Sequence, residues 1–585
     1  MLFNSLRFLF FFLPVTMLGF HLLGRYGRRP VIAWLAFMSV VFYGAWNPVF
    51  VLFLLGSILV NYLVADTIAS TPEDSLNRKR LLAFGITLNL LALFYFKYLY
   101  KLLLSINALH LAHLHPHPIL LPLGISFFTF TQISYLVDLA QGQVPGSPAG
   151  PPAGVEVPGS PAGLPAGVEA ERQDFLSYLL FVTFFPHLIA GPILHHKEMM
   201  PQFGRQPEGQ SPRQPESQFS RPSEIRSGAI RAHLPSSIQP PPPTYRRFRL
   251  NPQDVSVGLT WFLIGLAKKV LIADKLSPQA DLAFSHAGTL TATHAWTGLI
   301  VYSMQLYFDF SGYSDMALGL ARIFSIRFPI NFDSPFKATS VTEYWQRWHI
   351  TLTRYITLYL YNPLLLAVQR RRLLAGKKTS RKALATPEGF TTMVAYPTMV
   401  TMLLTGLWHG AGIQFLLFGA LHGLYLTANQ AWRHFRRRDP NPAPVTGLPR
   451  LAMMLGVYAQ VSFALIFFRS DSLGSAFALL HDMAGRHGLG TTSSLLDGAL
   501  AFALFPIVWF FPNSQQILGQ EPTPDHPGPG HHSPTSEPAD PAAPTPLLAR
   551  LRWSPNLRWA VVMAVLFFAV LANLDSTTSF LYFQF

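Results

Sequence analysis

The sequence contains no cysteine. This absence excludes disulfide bonds, thiolate ligands for a metal ion and an acyl intermediate carried on a cysteine of this chain. It leaves the compartment open, because a membrane protein without cysteine can face either side of a bilayer.

Charged residues are also scarce. Only 12% of the 585 residues are Asp, Glu, Lys or Arg, whereas 50% are hydrophobic and the mean hydropathy is +0.29. A soluble chain of this length needs far more charge to cover its surface. Apolar runs recur that are long enough to cross a hydrocarbon core, which takes about 20 residues per span. We therefore predict an all-α polytopic membrane protein with roughly 11–12 transmembrane segments plus re-entrant or interfacial helices.

The net charge of +15 raises the possibility of a nucleic-acid partner, but the placement of the basic residues argues against it. Lys and Arg cluster in short loops beside apolar runs, namely at 25–29, 78–80, 370–382 and 433–438. Such clusters fit the positive-inside bias and contact with anionic lipid. We expect membrane lipid as a partner and no nucleic acid.

Four segments have the composition of disordered insertions within one membrane domain that spans residues 1–585. They are rich in Pro together with Gly, Ser, Gln, Arg or His, and they occupy 143–172, 205–250, 439–449 and 520–547. The first contains two near-copies of one Pro/Gly-rich unit, which cannot bury a core. None of the four carries plausible chemistry.

No metal site is predicted. Four histidines lie between His110 and His117, but Pro116 and Pro118 spoil helical ligand geometry and no carboxylate lies close by. An exposed loop is the better interpretation. A His-Glu-x-x-His motif is absent, and so is the Gly-x-Ser-x-Gly motif of serine hydrolases.

Two carboxylates interrupt an otherwise apolar run in the first of two unusual regions, residues 307–363. Ionisable residues at membrane depth are costly, and they usually face a polar cavity or a partner. Asp309 and Asp315 could therefore contribute to a site. The structural alternative is that they pair with Arg322 or Arg327.

A helix is predicted in the second half of this region. Ser340 followed three residues later by Glu343 has the pattern of a capping box, so a helix should begin near Val341. It should end by Asn362–Pro363. Glu343 and Arg347 have the i,i+4 spacing of an ion pair.

One face of this predicted helix carries Trp345, Trp348 and His349. The helix has too many charges to be a lipid-facing span. It more plausibly lies in the interface or dips into the protein, with His349 on its inward face.

The second unusual region, residues 392–428, is too long for one ordinary span. Glycines at 406, 410 and 412 interrupt it and predict a broken helix, which is tolerated at membrane depth only against protein or a cavity. His409 should therefore be buried at mid-membrane with space around it. A buried imidazole can take the proton of a hydroxyl that attacks a thioester. His422, by contrast, is interpreted as a hydrogen-bonded core residue.

At these residues the chain resembles the membrane-bound O-acyltransferase family, and specifically its alginate O-acetyltransferase-like branch. Long signatures carry the resemblance, and they are Asn331–Phe336, Glu343–Leu352 and Gly406–Ala411. Supporting stretches are Phe42–Pro48, Leu121–Phe130, Phe184–Ile193, Phe467–Ser472 and Phe580–Phe585. The likeness extends over nearly the whole chain.

The resemblance implies a ring of tilted helices around a central tunnel through the membrane. It implies that His409 is the essential catalytic histidine and that His349 is the second catalytic-motif histidine, in a supporting role. The residues expected to bind the substrate or the acyl donor are Trp345, Arg347, Trp348, Trp408, Asn331 and Asp315. Arg347 would face the phosphates of the donor.

Members of the family take acyl groups from a cytoplasmic thioester and pass them outward to a hydroxyl. The resemblance therefore implies an O-acyltransferase of the bacterial inner membrane that uses acetyl-CoA or another acyl thioester as a substrate and holds no permanently bound cofactor. The acceptor would be an exported, alginate- or cellulose-like polysaccharide. Periplasmic acetyl-relay or esterase-like proteins would be its partners.

Two other functions stay open. D-alanyl transfer to a cell-wall polymer occurs in a related branch, although the motifs here are of the polysaccharide type. A transporter without acyl-transfer chemistry could use Asp309, Asp315 and His409 for proton coupling. No internal inverted repeat is visible, which disfavours the transporter.

Overall fold

The structure is a computed structural model that describes residues 1–73, 75–108, 115–142, 174–203, 250–435, 445–491, 493–519, 551–574 and 580–581. The predicted insertions at 143–172 and 520–547 lie outside the described residues, as do nearly all of 205–250 and most of 439–449. The last of these ends earlier than predicted, because a helix begins at Gly447. His110 and His113 also lie outside the described residues.

The prediction of an all-α chain is confirmed, since the described residues form helices and no strand. The first half of the chain contains α1 Phe8–Leu23, α2 Arg28–Gly44, α3 Val49–Ala69, α4 Leu76–Asn107, α5 Ile125–Ala140, α6 Phe175–Thr183 and α7 Pro252–Ser285. The central part contains α8 Ala292–Ile323, α9 Val341–Arg347, α10 Ile350–Ile356, α11 Asn362–Leu374 and α12 Pro387–His409. The remainder contains α13 Ile413–Phe435, α14 Gly447–Arg469, α15 Leu473–Met483, α16 Ala499–Phe510 and α17 Leu557–Leu571.

Several of these helices are suited to cross a bilayer. Among the described residues, five are long and apolar enough to do so, and they are α3, α4, α7, α12 and α14. The apolar helices α1, α5, α16 and α17 are shorter. The chain is therefore a polytopic membrane protein, and the total of roughly 11–12 segments stays a prediction.

Helix α8 forms the centre of the fold. Every side chain from Val301 to Ala321 is buried, as expected for a helix surrounded by other helices rather than by solvent. Glycines let α7 approach it closely: a Cβ on Gly265 would lie 2.5 Å from the Gly312 carbonyl oxygen, and one on Gly258 would lie 2.6 Å from that of Gly319. The two glycine pairs are seven residues apart on both helices, so α7 and α8 run antiparallel with their backbones in contact.

Three prolines inside helices follow π-turns. Pro14, Pro363 and Pro397 each lie two residues beyond such a turn, and the turns are Phe8–Phe12, Thr357–Tyr361 and Thr391–Ala395. Proline lacks an N–H and clashes with the carbonyl four residues earlier in a regular α-helix. The wider π-turn relieves both problems. The predicted helix end at Asn362–Pro363 is therefore wrong, because the helix continues through Pro363 to Leu374.

The contact between α7 and α8 generates a prediction. We expect Gly265→Ala to lower the thermal midpoint of the detergent-purified protein, because overpacking of a rigid backbone contact costs about 1–3 kcal/mol. Gly456→Ala is the matched control, since a Cβ on this helical glycine meets nothing within 4 Å. Equal midpoints for the two variants would refute the close contact.

Candidate active site

A cavity lies between α8, the α9–α10 break, α13 and α14. Three histidines, His349, His409 and His422, belong to its wall. The remaining lining is mainly apolar and aromatic, and it includes Leu306, Phe310, Tyr344, Trp345, Trp348, Leu352, Phe418, Val461, Leu465 and Phe468. A small number of polar groups in an apolar cavity is typical of a small-molecule site.

The structure brings half of the predicted site residues into this wall. His409, His349, Trp345 and Trp348 line the cavity. Asn331, Arg347, Trp408 and Asp315 do not; each lies behind the lining, where it contacts a lining residue or a neighbouring structural element.

Helix α9, which was predicted to carry His349, begins at the predicted residue. Ser340 precedes α9, and its hydroxyl accepts a hydrogen bond from the Glu343 N–H at 3.2 Å. The second half of the predicted capping box is different. The Glu343 carboxylate accepts from the backbone N–H and the hydroxyl of Thr339, both at 2.8 Å.

The prediction of one continuous helix from Val341 onward is wrong. The helix breaks at Trp348 and His349, and the backbone of His349 is left-handed with φ = 44°. The segment before α9 holds the break together, because the Ile350 N–H donates to the Asn331 carbonyl at 2.9 Å and the Asp333 N–H donates to the Arg347 carbonyl at 2.9 Å. A left-handed non-glycine residue costs free energy and is common at functional sites.

Asn331 fixes the tautomer of His349. The Asn331 Oδ1 atom accepts from the Thr351 N–H at 3.3 Å and from the Thr351 hydroxyl at 2.8 Å, so this end of the amide is the oxygen. The same oxygen lies 3.0 Å from His349 Nδ1, which must therefore carry the proton. The lone pair is then on Nε2, a buried atom that has no hydrogen-bond partner among the described residues.

Arg347 is held by acidic partners. Its guanidinium donates to the Glu343 carboxylate at 3.0 Å, as the i,i+4 spacing predicted, and to the Asp333 carboxylate at 3.1 Å. Burial by itself would raise the pKa of Glu343, but the hydrogen bonds from Thr339 and the charge of Arg347 outweigh burial and hold that pKa below its usual value. Arg347 thus links α9 to the Asn331–Ser334 segment that precedes it.

His409 is the last residue of α12, and the predicted break follows it. Gly410 has an extended backbone, and α13 then returns along α12. The two helices touch at Gly406, where a Cβ would lie 2.2 Å from the Phe415 carbonyl oxygen. The His409 ring packs edge-on against Phe468 at 5.1 Å, and its Nδ1 atom has no hydrogen-bond partner within the described part of the chain.

The end of α12 is held by a lysine that the sequence interpretation missed. Lys97 donates to the Trp408 carbonyl at 2.5 Å, and the Tyr98 hydroxyl donates to the Leu407 carbonyl at 2.9 Å. These contacts satisfy carbonyls that a helix end leaves free. The sequence does single out Lys97, because it is the one charged residue in the aromatic run Phe94–Tyr98. The Trp408 indole stacks on Phe130 at 5.3 Å.

His422 is hydrogen-bonded, as predicted for a core residue, but it also lines the cavity. The Trp345 indole N–H donates to its Nδ1 atom at 3.2 Å. An indole nitrogen only donates, so Nδ1 carries the lone pair and Nε2 carries the proton.

Asp309 and Asp315 are paired, but not with Arg322 or Arg327 as proposed from the sequence. Lys269 contacts Asp309 at 2.7 Å and Lys268 contacts Asp315 at 2.6 Å. Both lysines lie on α7, the helix that packs closest to α8. They therefore reach the two carboxylates although they are more distant in the sequence than Arg322 and Arg327. Arg322 instead pairs with Asp254 at 2.7 Å.

The two carboxylates have different positions relative to the cavity. Asp315 contacts Lys268, and its carboxylate accepts hydrogen bonds from the Trp261 indole at 3.1 Å and from the Ser514 hydroxyl at 2.8 Å. Asp309 lines the cavity. Its carboxylate accepts from the Leu581 N–H at 2.9 Å, which attaches Leu581 to α8.

Within the described part of the chain, no group of three or more His, Asp or Glu side chains is arranged so that it could hold a metal ion.

Comparisons with known proteins agree on one family. The sequence model of the membrane-bound O-acyltransferase family matches residues 112–379. A peptidoglycan O-acetyltransferase of Helicobacter pylori is 35% identical over 84% of this chain and 81% of its own length. A probable alginate O-acetylase of Pseudomonas aeruginosa is 30% identical over 100% of both chains. A teichoic acid D-alanyltransferase of Streptococcus thermophilus is 27% identical over 36% of this chain and 50% of its own length.

The buried charges beside the cavity generate a prediction. Lys269 contacts both Asp274 at 2.8 Å and Asp309 at 2.7 Å, and its side chain is 4% exposed. We expect Lys269→Met to destabilise the protein by about 3–5 kcal/mol, because it leaves buried carboxylates without their cation. Thermal unfolding in detergent measures this, with Lys377→Met as the control, because the Lys377 side chain is 52% exposed in its pair with Glu388. A Lys269→Met protein as stable as the control would contradict this role.

Proposed function

Since the chain belongs to the membrane-bound O-acyltransferase family and is an O-acyltransferase, we propose that it acetylates hydroxyls of an exported polysaccharide in the cavity beside His409. The observation that carries this proposal is the set of three imidazoles around one largely apolar cavity. Acyl transfer to a hydroxyl needs a base, and an imidazole can act as one near neutral pH.

His409 is the proposed general base. In the described part of the chain its Nδ1 atom has no hydrogen-bond partner. No hydrogen bond at this atom therefore fixes which ring nitrogen carries the proton. The ring is free to accept a proton from an attacking hydroxyl and to return it to the leaving thiolate.

His349 has a supporting role in this proposal. Its Nε2 lone pair is set by Asn331 through Nδ1, so it offers an acceptor of fixed direction. In this proposal it orients the acceptor hydroxyl or the ring of His409. Correct orientation of the reacting groups lowers the barrier to their reaction.

The donor in this proposal is acetyl-CoA, or another acyl thioester, that enters from the cytoplasm as a substrate. Trp345 and Trp348 line the cavity and would contact the acyl end of the donor. Arg347 is already engaged by two carboxylates, so its proposed part is to brace Trp348 rather than to bind donor phosphates.

The names of two relatives support the proposed class of acceptor. Peptidoglycan and alginate both present sugar hydroxyls outside the cytoplasm, and both relatives are named for O-acetylation. In this proposal the protein lies in the bacterial inner membrane and transfers acetyl groups outward. The transfer is direct or passes through periplasmic acetyl-relay or esterase-like proteins.

D-alanyl transfer is the second candidate. It is supported by relatives that align over 36% and 23% of this chain, whereas the two O-acetylating relatives named above align over 84% and 100%. The identity of the released acyl group separates the two candidates.

The role of His409 can be tested in cells. We expect His409→Ala to abolish ester-linked acetate on the exported glycan, because the hydroxyl then lacks its base; the loss should be at least about 100-fold. Base-released acetate, normalised to the level of the membrane protein, is the measurement. His286→Ala is the control, because His286 is exposed and does not line the cavity. Normal acetate with a normal protein level would disprove the catalytic role.

The acceptor and the transport alternative can be tested in membrane vesicles. With labelled acetyl-CoA outside inverted vesicles, we expect label to appear as base-labile ester on glycan and to depend on His409. Separation of peptidoglycan from soluble polysaccharide then identifies the acceptor. Unchanged acetyl-CoA recovered inside the vesicles, with no ester formed, would indicate a transporter instead.

A further inference from the structure

His422 lies in the wall of the same cavity as His409 and His349, yet the proton transfer proposed above makes no use of it. In the described part of the chain, its hydrogen bond is the one that Nδ1 accepts from the Trp345 indole at 3.2 Å. The proton of the ring is therefore on Nε2. His422 therefore presents a hydrogen-bond donor, Nε2–H, on a ring that lines the cavity.

Two imidazoles of this cavity are locked in opposite tautomers. Asn331 accepts from Nδ1 of His349, which makes Nε2 of His349 an acceptor. Trp345 donates to Nδ1 of His422, which makes Nε2 of His422 a donor. Attack of a hydroxyl on a thioester needs both kinds of group, because a proton must leave the hydroxyl while negative charge grows on the carbonyl oxygen.

We propose that the Nε2–H group of His422 is the hydrogen-bond donor that stabilises this negative charge, which makes His422 a second catalytic residue. The inference rests on the proposed function, namely acyl transfer in this cavity. The acceptor hydroxyl gives its proton to His409 as its oxygen bonds to the carbonyl carbon of the acyl thioester. The carbonyl oxygen becomes an oxyanion that accepts from His422. When the carbonyl reforms, the C–S bond breaks and the thiolate takes the proton from His409.

The surroundings of His422 favour such a role, because they fix the ring before the substrate arrives. The ring lies edge-on to Trp345 at 5.2 Å and packs against Phe418 at 4.6 Å. Phe418 also contacts the ring of His409 at 5.9 Å, so one side chain packs against both histidines. Preorganised donors are effective because they need no reorganisation during the reaction.

Isosteric substitutions test this proposal. The amide of Gln reaches the position of Nε2 in histidine, whereas the amide of Asn reaches that of Nδ1 and can still accept from Trp345. We expect His422→Leu and His422→Asn to lower the initial rate of labelled acetyl transfer in membrane vesicles about 100- to 1000-fold, and His422→Gln to stay within about tenfold of the unsubstituted protein. Trp345→Phe should lower the rate less than His422→Leu. This variant removes the hydrogen bond that fixes the tautomer of His422, but His422 can still carry its proton on Nε2.

The opposite order would overturn the proposal. If His422 only holds Trp345 in place, His422→Asn will retain activity, His422→Gln will lose it and Trp345→Phe will match His422→Leu. If His422→Leu does not accumulate in the membrane, the comparison of Gln with Asn at equal protein level decides. His409→Ala is measured in parallel: an inactive His409→Ala beside fully active His422 variants refutes the inference alone, whereas an active His409→Ala refutes the proposed function itself.

Discussion

A helix that ends inside a membrane protein must find partners for its terminal N–H and C=O groups within the protein, because lipid offers none. Both broken helices at the cavity obey this constraint, and each places a histidine. The segment at Asn331 satisfies the backbone around His349, and Lys97 and Tyr98 satisfy the carbonyls that precede His409. The position of each imidazole therefore depends on contacts with residues that are distant in the sequence.

The same constraint explains the charges that surround the cavity. Lys269 on α7 satisfies Asp309 on α8, and the glycine pairs at Gly265 and Gly258 bring these two helices close enough for that contact. Asp309 in turn holds the backbone of Leu581. Packing of small residues and neutralisation of buried charge thus position the part of the cavity wall that α8 and Leu581 form.

Several predictions that rested on local signals were correct, although the helix end predicted at Asn362–Pro363 was not. The start of α9 after Ser340, the pair of Glu343 with Arg347 and the break after His409 all follow from residues within a few positions of one another. The break at His349 was missed, because helical periodicity continues through it and only the distant Asn331 segment makes it favourable. The cavity position of His422 was missed for the same reason, since α13 meets Trp345 only after the chain has folded.

We propose that acyl transfer takes place in the cavity among His349, His409 and His422. The most direct test is an experimental structure of the protein with a non-hydrolysable analogue of acetyl-CoA in which a ketone on a thioether replaces the thioester. We expect the ketone end of the analogue to enter the cavity, with its carbonyl oxygen within hydrogen-bond distance of His422 and its carbonyl carbon beside His409. An analogue bound with its ketone outside this cavity would show that acyl transfer takes place elsewhere.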